Sequence, residues 1–283
     1  MSLYTSEIKK GIDNILIFNL TAATKSFENA SNYLSKASST FKKTETLRLA
    51  NIILATWYLI STGERERLTT IHKTFLISEY MINGGQNIVT SLNLTLEAIK
   101  LTVKFEQFID AKNSIELANE KALEALNNFS WAIDLTDINY NKLSEEERNA
   151  TIALNNTLYQ MFLLSNHLNI LTYSMKQLII AIETSKKAYS EMNVTNPDFN
   201  DLQTQLLKLN ISLNEFERRN INETAKEFFP DMVYCMLMVY KWLLNIENSL
   251  RLSIQNGEIY PYKEWILGNY TLLCVELQYL TEI

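Results

Sequence analysis

Proline and glycine are scarce, 3 and 6 in 283 residues, against typical usage of about 5% and 7%. Tight turns consume both residues, so the composition argues against an all-β or large α/β fold and for long helices. Histidine is almost absent, with only His72 and His167. The two cysteines, Cys235 and Cys274, have no Cys-x-x-Cys or Cys/His zinc spacing. Both lie in apolar helical stretches and are read as small buried hydrophobes. No long basic run occurs, and 26 basic against 32 acidic residues leave a net charge of −6. A positive stripe able to displace counterions from a nucleic acid is therefore missing, and no nucleic-acid partner is expected. Long hydrophobic runs are missing too. The most apolar window, Met232–Ile246, contains Lys241 and is shorter than the ~18 residues of a membrane span. Met1–Lys10 is polar and Ile15–Leu20 carries no cleavage site. The expectation is an intracellular protein without a membrane span.

What is present is apolar surface: 47% of the residues are hydrophobic and 11% aromatic, enough for a sizeable core. Apolar positions recur with a 3.6-residue period. They predict helices at about 3–37, 44–61, 65–82, 86–109, 111–131, 145–166, 168–192, 199–218, 222–229, 230–255 and 262–281. Several boundaries have a physical cause. Ser144 and Glu147 form a capping box. Asn196-Pro197-Asp198 ends one helix and starts the next. Pro230 with Asp231 suits a first turn, Asn256-Gly257 is a C-terminal stop, and Pro261 opens the last helix. Short connections imply antiparallel neighbours. The expected fold is all-α, about ten antiparallel helices in one domain over 1–283, with 134–144 as the one place for a subdivision. Its arrangement is either a helical array or an irregular bundle.

Alanine carries the clearest spacing. Six pairs of alanines lie seven residues apart: 23/30, 30/37, 111/118, 118/125, 125/132 and 181/188. Seven residues are two helical turns, so each pair shares a face on which a neighbouring helix can approach closely. Ala23-x3-Phe27-x2-Ala30, Ala30-x3-Leu34-x2-Ala37, Ala111-x3-Ile115-x2-Ala118 and Ala181-x3-Ser185-x2-Ala188 resemble the second helix of tetratricopeptide repeats. A 34-residue period, the aromatic and glycine set of the first helix and the terminal proline of that family are not found here. Residues 26–37, Ser-Phe-Glu-Asn-Ala-Ser-Asn-Tyr-Leu-Ser-Lys-Ala, with Thr46-Leu-Arg-Leu-Ala-Asn51, resemble over about 30 residues the repeat scaffold family of meiotic crossover proteins. The latter resemblance implies a protein-binding platform without catalysis, whereas an irregular helical bundle also explains the alanine spacing.

Few constellations suggest chemistry. Arg67 and His72 form an Arg-x4-His pair that resembles the motif of the HEPN family of helical ribonucleases. The resemblance implies that the two side chains would act on the ribose 2′-hydroxyl and its phosphate in a dimer, although Leu68 stands where that family has a polar residue. The other reading of this stretch, Glu64-Arg-Glu-Arg67, is a charged helix start. His167, in Leu163-Leu-Ser-Asn-His-Leu-Asn-Ile170, reads as a structural or surface histidine between two helices. No Glu-x-x-His pair supports a di-metal bundle site. Gly84-Gly85 has no Lys-Ser/Thr behind it, so it reads as a helix–helix turn and not as a phosphate loop. Glu145-Glu146-Glu147 reads as the acidic first turn of a helix. No residue is nominated as catalytic, cofactor-binding or metal-ligating, and no cofactor is expected.

Asparagine is abundant, 30 residues, and ten of them open Asn-x-Ser/Thr triplets, Asn19, Asn93, Asn210 and Asn269 among them. This is about twice the chance number and would allow N-glycosylation in an extracellular or virion protein. Trp57, Trp131, Trp242 and Trp265 fall in apolar segments and are expected in the core. Tyr260-Pro-Tyr-Lys-Glu-Trp265 and Asn269-Tyr-Thr-Leu-Leu-Cys274 are instead candidates for exposed aromatics in a partner groove, with Tyr260 and Tyr262 foremost. The leading functional expectation is a non-enzymatic scaffold that binds another protein. The HEPN-like ribonuclease and the glycosylated structural protein are the alternatives.

Overall fold

The computed structural model describes residues 3–17, 19–55, 62–104, 106–136 and 145–280, without the side chains of 4, 5, 41–55, 62–72, 146, 147 and 224. The chain is all-helical, and no strand occurs among the described residues. Its elements are α1 (Leu3–Leu16), α2 (Leu20–Ala55), α3 (Thr62–Lys104), α4 (Phe108–Leu135), α5 (Glu145–Glu191), α6 (Phe199–Glu217), the single turn α7 (Ile221–Thr224), α8 (Pro230–Asn256) and α9 (Tyr262–Leu280). Among the described residues fewer and longer helices form than the ten expected, because three expected breaks are absent. Residues 38–43 run on inside α2, Gly84 and Gly85 lie inside α3, and Asn166-His167 lies inside α5. One expected helix is divided instead. Asn19 stands between α1 and α2, and its side chain accepts the Ala22 amide at 3.2 Å as an N-cap does.

Two compact units are formed: Met1–Val89 with Leu123–Ser165, and Thr90–Ala122 with Asn166–Ile283. Residues 137–144, most of the segment where a subdivision is expected, lie outside the described residues, as do Ser144 and the Glu147 side chain of the expected capping box.

In the first unit α1 packs on α2 around the fully buried ring of Phe27. Gly11 and Gly85 both face that ring, and Gly84 faces the equally buried Phe129. The glycines are therefore flat spots for rings and not a turn. A buried phenylalanine contributes about 1.5–3 kcal/mol, and each of these rings seats because the glycine facing it has no Cβ.

In the second unit the alanine spacing marks a seam. Ala111 and Ala118 on α4 and Ala181 and Ala188 on α5 are wholly buried, as are Ala23, Ala30, Ala125 and Ala132 in the first unit; only Ala37 of the seven-spaced set is partly open. The closeness they permit is visible at Ala118, whose backbone carbonyl accepts the Ser91 hydroxyl of α3 at 2.7 Å.

The caps follow the sequence signals where the residues are described. Asp198 caps α6 by accepting the Asn200 amide at 2.9 Å. Pro230 occupies the first turn of α8, and Gly257 ends it with φ +69°. The end of α3 carries no glycine: Glu106 takes the left-handed conformation, φ +52°, while the Gln107 amide reaches back to the Leu101 carbonyl at 2.9 Å.

Candidate partner-binding surface

Helices α8 and α9 form an antiparallel hairpin. The Cys235 thiol of α8 donates to the Glu276 backbone carbonyl of α9 at 2.8 Å, and Asn245 Nδ2 donates to Asn269 Oδ1 at 3.2 Å. Helix α9 is apolar on two faces. Ile266, Leu273, Leu277 and Leu280 are buried and, with the half-buried Tyr270, form the face turned to the core.

Trp265, Gly268, Leu272, Val275 and Tyr279 repeat at intervals of 3, 4, 3 and 4 residues on the opposite face. Trp265 is 52% exposed, Leu272 46%, Val275 61% and Tyr279 61%. A Cβ built on Gly268 would meet nothing within 4 Å. This spacing is the seam of a helix that expects another helix or a groove against it, and none of the described residues covers it. Glu264, Thr271 and Gln278 run along one edge, and Asn269 and Glu276 along the other.

Several residues singled out from the sequence fall near this surface. Tyr260 is 73% exposed. Tyr262 is half-buried; its hydroxyl accepts Asn256 Nδ2 at 2.5 Å, and its ring stands edge-on to Trp265 at 5.3 Å. Tyr262 thus braces Trp265. Trp131 is half exposed where a core position is expected, and Trp265, expected in the core as a tryptophan and exposed as part of Tyr260–Trp265, is half exposed too. On α4 the inward positions go to Ala118, Ala122, Ala125, Phe129 and Ala132, which turns Trp131 outward against Tyr80 at 5.5 Å. Trp57 lies outside the described residues.

The remaining candidates are not brought together. The side chains of Arg67 and His72 lie outside the described residues, so only their place on α3 is given. His167 sits within α5, with Nδ1 buried and without a hydrogen-bond partner, against the Phe228 ring at 5.0 Å. Burial lowers its pKa, and the nearby Glu227 carboxylate only partly opposes this, so the surroundings favour the neutral ring. Both cysteines are free. Burial, with the Glu276 charge adding to it, pushes the Cys235 thiol up to about 12, which makes it an unreactive hydrophobe.

A charged cleft of about 540 Å³ involves Glu106, Phe108, Glu183, Lys186 and Lys187. Its lysines are met by two of its carboxylates. Glu183 meets Lys112 at 2.9 Å and Lys187 at 2.7 Å, and Lys186 pairs with Glu106. This network ties the ends of α3, α4 and α5, and Glu191 and Asp201 complete the acidic lining of the cleft. Among the described residues no group of three or more His, Cys, Asp or Glu side chains is placed to hold a metal ion. No described helix is long and apolar enough to cross a membrane.

Comparison with family models, with curated proteins and with solved structures returned no match.

Proposed function

We propose that the chain is a non-enzymatic helical scaffold and that the outer face of α9 is where it binds another protein. The observation that carries this reading is the exposed seam Trp265–Leu272–Val275–Tyr279. A helix apolar on two faces belongs in an interior, and large exposed aromatic and aliphatic side chains at one site are the usual anchors of a protein interface. The sequence gives independent support: no catalytic constellation was found, and the alanine seams suit the stacked helix pairs of a binding array.

The test compares wild type with the Leu272→Ser/Val275→Ser double variant. Both positions are exposed, so circular dichroism and thermal unfolding should be unchanged. Capture from the native source, with the bound protein identified by mass spectrometry, should fall at least tenfold for the variant. Equal capture by both proteins rejects the α9 face as the binding surface.

A further inference from the structure

The end of the exposed α9 face nearest the start of α8 is built differently from the rest. Asp231 and Tyr234 on the first turn and a half of α8, and Glu276 and Tyr279 on the last turns of α9, line a cavity of about 360 Å³ with Cys235 at its base. That volume is at the small end of ligand pockets, about 300–1,000 Å³, and suits one long side chain. The base is fixed, because Cys235 is buried and its thiol is bonded to the Glu276 carbonyl. The rims are open: Tyr234 is 65% exposed and Tyr279 61%. Neither the Asp231 nor the Glu276 carboxylate has an ion-pair or hydrogen-bond partner among the described residues. Glu183 and Glu106, by contrast, are each met by a lysine.

Two tyrosine rings and two unpaired carboxylates around one concavity select the charge of what enters. A cation entering it is attracted by the carboxylates and by the tyrosine rings that line it. An apolar group would strip water from the carboxylates without replacing its hydrogen bonds, and an anion would be repelled. We propose that this cup receives a lysine or arginine side chain of the protein that docks on α9, the apolar seam taking that partner's hydrophobic residues. The inference rests on the docking role proposed for α9. A second copy of this chain fits less well, since it carries net charge −6 and the seam is itself edged by Glu264 and Glu276.

The test titrates the full chain with N-acetyl-arginine methylamide, and separately with its norleucine analogue. It follows the ring signals of Tyr234 and Tyr279 by nuclear magnetic resonance, with Tyr→Phe variants to assign them. The arginine compound should give saturable shifts at both rings, and its affinity should fall at least fivefold in the Asp231→Asn/Glu276→Gln variant. The norleucine compound should leave the rings unmoved. Equal shifts from the norleucine compound, or unchanged affinity in the double variant, overturn the proposal. Failure of the cup is distinguishable from failure of the docking face. If the Leu272→Ser/Val275→Ser variant loses its partner while the arginine compound gives no shift, the face stands and the cup does not. If the arginine response persists and partner capture ignores the seam, the cup stands as a cation site and its assignment to that partner is overturned.

Discussion

Gly84 lies flat against the Phe129 ring: a Cβ built on the glycine would sit 2.6 Å from the ring edge. In an exposed helix, glycine to alanine gains about 1 kcal/mol. Here the ring is wholly buried and has nowhere to retreat, so overpacking outweighs propensity. Gly84→Ala should destabilise the protein by about 1–3 kcal/mol in urea unfolding. Phe129→Leu should restore part of that loss in the double variant, whereas Phe27→Leu, at the ring served by Gly11 and Gly85, should not. Gly268→Ala is the control. It has open space around it and should be neutral or stabilising by up to about 1 kcal/mol.

The same glycines show where sequence reading stops. The 3.6-residue period, the proline and asparagine caps around α6 and α8, and the alanine seams were all legible, because each depends on local geometry or on side-chain size alone. Gly84-Gly85 was read as a turn because glycine suits both a turn and a flat helix face, and only the position of Phe129 and Phe27 decides between them. Asn166-His167 looked like a break in α5 because polar residues interrupt the apolar run there. Glu106 ended α3 with no glycine to announce it. On α9 both apolar stripes were present in the sequence, and their spacing pointed to a helix; which stripe faces inward depends on α8 through Cys235 and Asn245. The cup was less legible still, since Asp231 and Tyr234 meet Glu276 and Tyr279 only through the antiparallel register of that hairpin.

His167 makes stability depend on pH near neutrality. Its folded pKa lies below the ordinary value of about 6.5, so below that pH the unfolded chain binds a proton that the folded chain does not. Stability is therefore full above pH 7 and declines as pH falls through 6.5 toward the folded value. His167→Phe should flatten this slope in thermal unfolding between pH 7 and 5. Glu227→Gln should steepen it, because the carboxylate opposes the effect of burial.

Glu183 acts at lower pH and in the same direction. Burial alone would raise its pKa, but the hydrogen bonds and charges of Lys187 and Lys112 outweigh burial and hold it below the ordinary value. A lowered carboxylate pKa contributes stability that is present above about pH 4.5 and is lost as pH falls through the folded value. Glu183→Gln should cost about 1 kcal/mol at pH 7, as expected for a partly exposed pair, and should approach the wild type in acid. Equal stability differences at pH 7 and pH 3 would show that the ion pairs are not the source.

Asn119 on α4 joins α5 through a single amide. Its Nδ2 lies 3.0 Å from the Asn169 carbonyl, 2.8 Å from Asn169 Oδ1 and 2.9 Å from Thr172 Oγ1. Three oxygens thus share two hydrogens, so the position demands a donor and not merely a polar group. Asn119→Leu should cost about 1–3 kcal/mol by leaving part-buried acceptors unmatched. Asn119→Asp is nearly isosteric yet should cost more at pH 7, because a carboxylate would face those oxygens. Protonation returns a donor to that site, so the aspartate variant should regain stability relative to the leucine variant as pH falls from 7 to 4. If aspartate proved milder than leucine at pH 7, volume and not hydrogen bonding would be what Asn119 supplies between the two helices.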